Sequence, residues 1–162
     1  MRKKIIAACL LNLLLFASVF AHDLFLKLDT YFVKVNQKVS ISLYNGTFQK
    51  SEGAVAFARL TDVSVVSPSG TRTHPVEANL TKNETTAFLN VTPTEAGNYI
   101  AGLSTLWRES ALPAAEFNKY LPAEGIPDIL EARTRDGELD KDARYRYSKY
   151  VKTIFQAGNK AT

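Results

Sequence analysis

Between His22 and about Trp107, apolar residues recur at every second position in short runs separated by turn residues, and this period constrains the fold more than any other property of the chain. Val39, Ile41 and Leu43 alternate with Lys38, Ser40 and Ser42, which puts three apolar side chains on one face of a strand and polar ones on the other. Val63 and Val65 alternate with Asp62 and Ser64 and run into the turn cluster Ser67-Pro68-Ser69-Gly70, so Thr71 to Val76 is predicted to pair back as a hairpin. Thr85 to Val91 supplies another strand, with Ala87, Leu89 and Val91 on one face. Short strands separated by turns predict an antiparallel sandwich.

The segment Thr94-Glu95-Ala96-Gly97-Asn98-Tyr99-Ile100-Ala101 narrows this prediction. An acidic residue, Gly and Tyr in this order resemble the tyrosine corner of immunoglobulin-like sandwiches, where the phenol returns to the backbone at a strand crossing. Ala101 stands where antibody domains carry their second cysteine, as expected of a disulfide-free relative.

Around Leu112 the period changes. Phe117, Tyr120 and Leu121 predict a short helix after Pro113, and Pro127 is placed to open another through Ile129 and Leu130. Asp140 to Ala157 reads as the longest helix, capped by Asp140 and ended by Gly158, with Ala143, Tyr147, Tyr150, Val151, Ile154 and Phe155 as its apolar stripe. Its five basic residues, Lys141, Arg144, Arg146, Lys149 and Lys152, are expected to cover the edge of a core-facing helix rather than a lipid surface. The fold expected is mainly β: an immunoglobulin-like antiparallel β-sandwich over 22–110, followed by a C-terminal helical segment over 111–158 and a polar tail over 159–162.

The first 21 residues read differently. Arg2, Lys3 and Lys4 precede the apolar run from Ile5 to Phe20, and Val19-Phe20-Ala21 ends it with the small residues of a cleavage site, the layout of a secretory signal peptide. The whole chain carries a formal charge of +4, but losing those three cations leaves 17 basic residues against 16 acidic. A nearly neutral exported chain without a recognition motif is not expected to bind nucleic acid. The single cysteine, Cys9, and the single methionine, Met1, fall in the signal as well, so disulfides, thiolate metal sites and methionine-rich copper sites are excluded from the mature chain. No later apolar stretch approaches the roughly 20 residues needed to cross a bilayer. The expected location is periplasmic or secreted.

The segment LPAAEFNKYLPAEGIPDILEARTRDGELDKDARYRYSKYVKTIFQAG and the start AHDLFLKLDTYFVKVNQKVSISLYNG together resemble an exported bacterial domain of unknown function that is often labelled a NikM-like nickel-uptake component. Members begin with Ala-His-Asp and usually continue into a second β-module, so this sequence corresponds to the first module with its helical insertion. Tyr145 stands where members often carry an acidic residue. The resemblance implies an envelope protein in a soluble, accessory role, with a metal-transport component or another envelope protein as partner.

Cleavage after Ala21 would make His22 the first residue of the mature chain. A free α-amine, with a pKa of about 7.7–8.0, and the Nδ1 of its own imidazole can then close a chelate ring on one metal ion. Nitrogen ligands suit Ni(II), Cu(II) and Zn(II). Asp23 or Asp29 could add an oxygen, and His74 is the other histidine of the chain. The competing expectation is a metal-free adaptor for an envelope protein or a glycan, in which His22 only marks the end of the signal and His74 is a surface strand residue. Trp107, Phe117 and Tyr120 could line a groove, although such residues are more often core. Four N-x-[S/T] matches, at Asn45, Asn79, Asn83 and Asn90, are expected to be accidental and unglycosylated. No glycine-rich phosphate loop, H-E-x-x-H or G-x-S-x-G motif is present, and no enzymatic activity is expected.

Overall fold

The computed structural model describes residues 23–159. The expected signal peptide, His22 and the last three residues lie outside that range. Among the described residues, eleven strands and two α-helices follow one another, with short 3-10 turns before β4 and β6: β1 (Asp23–Lys27), β2 (Phe32–Val33), β3 (Val39–Gly46), β4 (Leu60–Val66), β5 (Arg72–Thr73), β6 (Leu80–Lys82), β7 (Ala87–Val91), β8 (Gly97–Thr105), β9 (Arg108–Leu112), α1 (Ala114–Ala123), α2 (Pro127–Arg135), β10 (Ala143–Tyr147) and β11 (Tyr150–Ala157).

One sheet has the order β1-β3-β7-β6 and the second β2-β11-β8-β4-β5. All neighbours are antiparallel except β2 and β11, which run parallel at Phe32 and Val33. This is the strand order of an immunoglobulin-type sandwich, with β5 and β2 added at the two edges of the second sheet. The alternation read from the sequence puts Val39, Ile41, Leu43, Ala87 and Leu89 of the first sheet in the core. They meet Val65, Tyr99, Ala101, Leu103, Phe155 and Ala157 of the second. The predicted hairpin closes at Ser67–Thr71, with Gly70 at φ 83° and Val65 opposite Thr73.

The tyrosine corner is formed. Tyr99 Oη accepts hydrogen bonds from the backbone N–H of Thr94 (3.1 Å) and Glu95 (2.9 Å) and lies 3.3 Å from the Glu95 carbonyl. Its ring stacks on Phe155 at 5.3 Å and 12°. Replacing Tyr99 by Phe keeps the stack and strips two backbone donors of their acceptor, which is expected to cost about 1–2 kcal/mol. Urea unfolding measures it, and an unchanged midpoint would show that the corner adds nothing to stability.

The helix expected over Asp140–Ala157 is not there; the segment forms β10 and β11. Ala143, Tyr145 and Tyr147 face one way while Arg144 and Arg146 face solvent. Along β11, Thr153, Phe155 and Ala157 are buried, whereas Tyr150 (79% exposed) and Ile154 (56%) point out. Two alternating strands joined through Ser148 and Lys149 happen to place apolar residues at helical spacings. The segment's Tyr, Val, Thr, Ile and Phe are strand formers, and cross-sheet packing decides the outcome. The segment 111–158 is thus helical only in its first half. β11 belongs to the sandwich, paired along its whole length with β8.

The helices start where the prolines predict, α1 after Pro113 and α2 at Pro127. Together with the β9–β10 ribbon they form an insertion between β8 and β11, the position of the loop joining the last two strands of an immunoglobulin domain. The backbones of Thr105 and Lys149 are bonded at its base (3.0 Å). Phe117, Leu121 and Ala143 form a second small core inside it. Arg133 (9% exposed) ties it together, donating from Nε to Asn118 Oδ1 (3.0 Å) and from Nη2 to the carbonyls of Glu138 and Lys141 (2.6 Å each).

Candidate functional site

The sandwich presents three features at one end: the start of β1, the loop after β3, and the insertion. Asp23 lies opposite Gly46 in the β1–β3 register and takes an ion pair from Lys149 Nζ at 2.7 Å, which joins the start of the first sheet to the base of the insertion. Partial burial alone would raise the Asp23 carboxyl. The Lys149 ammonium and the Leu24 N–H outweigh it and hold the group below the ordinary carboxylate range.

Above this pair lies a cleft of about 410 Å³, bordered by Asp23, Tyr120, Glu124, Tyr145, Tyr147 and Lys149 among others. Its size is that of a small-molecule site. Period-two alternation puts Tyr145 and Tyr147 on the helix-facing side of β10, and α1 brings Tyr120 against them. Ring centroids are 5.4 Å apart for Tyr120–Tyr145 and 6.1 Å for Tyr145–Tyr147, with Phe117 5.4 Å from Tyr145. Burial first, and then the Glu124 carboxylate with the Tyr145 and Tyr147 hydroxyls, push the Tyr120 phenol up to about 12.

An unfolded tyrosine ionises near 10. The folded chain keeps the Tyr120 proton longer, so its contribution to stability is whole below about pH 10 and is lost as pH rises from there toward 12. The absorbance of phenolate, compared between the protein and Tyr120→Phe, is expected to place the Tyr120 titration well above the ordinary value of about 10. A difference curve centred near 10 would contradict the burial of this phenol.

The other side of the ribbon is cationic and open. Trp107 (57% exposed) lies under the Arg146 guanidinium at 4.4 Å, and Arg146 and Arg144 both pair with Glu109, at 2.9 and 3.5 Å. Of the five basic residues expected on one helix, Arg144 and Arg146 lie on this face, whereas Lys149 pairs with Asp23 at the cleft and Lys152 stands on β11.

The metal-ligand candidates are spread out. His22 lies outside the described residues. Asp29 is past the far end of β1, roughly 20 Å along the chain from Asp23 at strand spacing. His74 sits just after edge strand β5, 63% exposed, with Nδ1 3.4 Å from Asp62 Oδ1 and 3.3 Å from the Val63 carbonyl. Strands β8 and β4 separate it from β11, and it does not border the cleft that Asp23 borders. Among the described residues, no three His, Cys, Asp or Glu side chains gather where one ion could bind. Of the three aromatics that the sequence offers for a groove or, more often, a core, Tyr120 lines the cleft while Trp107 and Phe117 do not, and nothing in the sequence reading singles out Glu124, Tyr145, Tyr147 or Lys149 for it. The alternation of tyrosine with arginine through 144–147 is the signal that could have revealed two of them.

No protein-family model matches the chain, and no curated protein is significantly similar to it. Fold and cleft define the class: an immunoglobulin-type β-sandwich with an α/β insertion between the last two strands of its second sheet. Among the described residues no helix is long and apolar enough to cross a membrane.

Proposed function

We propose that this protein is an exported, non-catalytic binding module of the bacterial envelope, periplasmic or secreted, which engages its ligand at the insertion end of the sandwich. The observation that supports this reading is the cleft of about 410 Å³ between the insertion and the start of β1, with tyrosines on one wall and a carboxylate–ammonium pair at its base. Tyrosine offers large contact area with a polar tip at little entropic cost, the side-chain chemistry that binding loops favour. The test is a nuclear magnetic resonance screen with small sugars, amines and short peptides. Shifts are expected to cluster on Tyr120, Tyr145, Tyr147 and Lys149, and shifts confined to the opposite end of the sandwich would refute the assignment.

The position of Asp23 favours a second reading, the nickel-uptake accessory role implied by the family resemblance. His22 directly precedes Asp23 in the sequence, and in a mature chain that begins at His22 its α-amine and imidazole are the proposed donors to one metal ion. Asp23 is already engaged by Lys149, so the proposed donors are the two nitrogens of His22 alone. Ni(II), Cu(II) or Zn(II) is expected to bind the correctly processed chain and to bind far more weakly when one residue precedes His22. Equal affinities for the two forms would eliminate the chelate.

A further inference from the structure

The charge and donor chemistry of the cleft define what it accepts. Two carboxylates, Asp23 and Glu124, border it against one ammonium, Lys149. Lys149 is consumed by Asp23 at 2.7 Å, whereas among the described residues Glu124 has no cationic partner. The rest of the lining is uncharged: Tyr120, Tyr145, Tyr147 and Tyr150 supply electron-rich rings and hydroxyl oxygens, beside Ser110, Ser148 and Val151. An anion would meet the unneutralised Glu124 with the local ammonium already spoken for. A neutral polyol would gain nothing from the excess negative charge. A cation with a short carbon stem gains on every count: attraction to Glu124, hydrogen bonds to phenol and carboxylate oxygens, and favourable contact with the rings.

We infer that the cleft binds an organic ammonium group, the head of an alkylamine or of a lysine side chain, between Glu124 and the Tyr120–Tyr145–Tyr147 row. This rests on the reading of the cleft as the working site. Tyr120 is a neutral phenol throughout the physiological range, so its oxygen can accept a hydrogen bond without bringing a charge that would alter the selectivity.

The test uses the processed full-length protein in EDTA, so that a metal at His22 makes no contribution. Butylammonium is compared with 1-butanol, and Nα-acetyl-lysinamide with Nα-acetyl-norleucinamide, by chemical-shift titration. The charged member of each pair is expected to bind roughly tenfold more tightly, with shifts on Tyr120, Tyr145 and Tyr147, and the preference is expected to shrink at high salt. Glu124→Gln, an exposed rim change with unaltered Tm, is expected to remove most of the preference and leave the neutral ligands unaffected. Tighter binding of the lysine derivative than of butylammonium assigns the source to a protein partner, and the reverse order assigns it to a free amine; either supports the inference. Equal binding of charged and neutral members at the cleft overturns the ammonium assignment while leaving the site intact. Absence of shifts at the cleft with every probe overturns both.

Discussion

A chain ended after Leu139 is expected to be unfolded, because the residues it loses are not a helix packed on the outside of the sheet but a strand within it. β11 lies between β2 and β8 and provides Thr153, Phe155 and Ala157 to the core. Phe155 is 1% exposed and stacks on Tyr99, so Phe155→Ala alone is expected to cost about 3–5 kcal/mol. That approaches the whole net stability of an ordinary domain, about 5–15 kcal/mol. Removing the strand also strips the hydrogen-bonding edge of β8 along its entire length. Circular dichroism and urea unfolding are the measurements, and a cooperative transition in the truncated chain would show that the sandwich does not need its last strand. The complementary variant joins residue 106 to residue 148 through a short turn. The Thr105 and Lys149 backbones already meet at 3.0 Å, so this shortened chain is expected to fold.

Arg133→Met is expected to destabilise the insertion by about 3 kcal/mol while leaving the sandwich folded. The guanidinium joins three separate pieces of chain: Asn118 on α1, its own helix α2, and the carbonyls of Glu138 and Lys141 in the segment leading to β10. Its stem and head also cover Phe117, with Cζ 5.1 Å from the ring centroid. Methionine replaces the stem but leaves two carbonyls and an amide oxygen without their charged donor, and hydrogen bonds to charged groups are worth about 1.5–3 kcal/mol each. Arg133→Lys is expected to rescue little, because one ammonium cannot reproduce a rigid fork aimed at three acceptors. Hydrogen exchange distinguishes local from global loss: protection is expected to fall between 114 and 147 and to persist in β3, β8 and β11. Uniform loss over the whole chain would mean that the insertion and sandwich unfold together.

Most of the sandwich is legible in the sequence, because burial on one face forces alternation and the alternation survives in Val39-Ser40-Ile41-Ser42-Leu43. The tyrosine corner and the two prolines are legible for a similar reason: each is a local requirement met by nearby residues. The segment 140–157 is misread because Ala143, Tyr147, Tyr150, Val151, Ile154 and Phe155 satisfy a helical spacing across a turn, and periodicity alone does not separate short strands from a helix. Tyr150-Val151-Lys152-Thr153-Ile154-Phe155 carries the opposite signal in its β-branched and aromatic side chains. The cleft is harder still. Tyr120 and Tyr145 are 25 positions apart and meet only because β9 pairs with β10 and folds α1 over the ribbon, a tertiary event with no local trace.

The pairing of the first strands with the last sets a schedule for folding. Asp23 and Lys149 are 126 positions apart in the chain, and Phe32 takes its partner at Gln156. Neither contact can form until the chain is available through β11, and such distant pairings are the slow ones in β-rich proteins. A growing chain therefore lacks the strand that closes the second sheet, and the sandwich stays unlocked until β11 has emerged. Under the export proposed above, which would carry the chain through a translocation channel as an extended thread, late closure is an advantage, because the native state arises only after β11 has arrived.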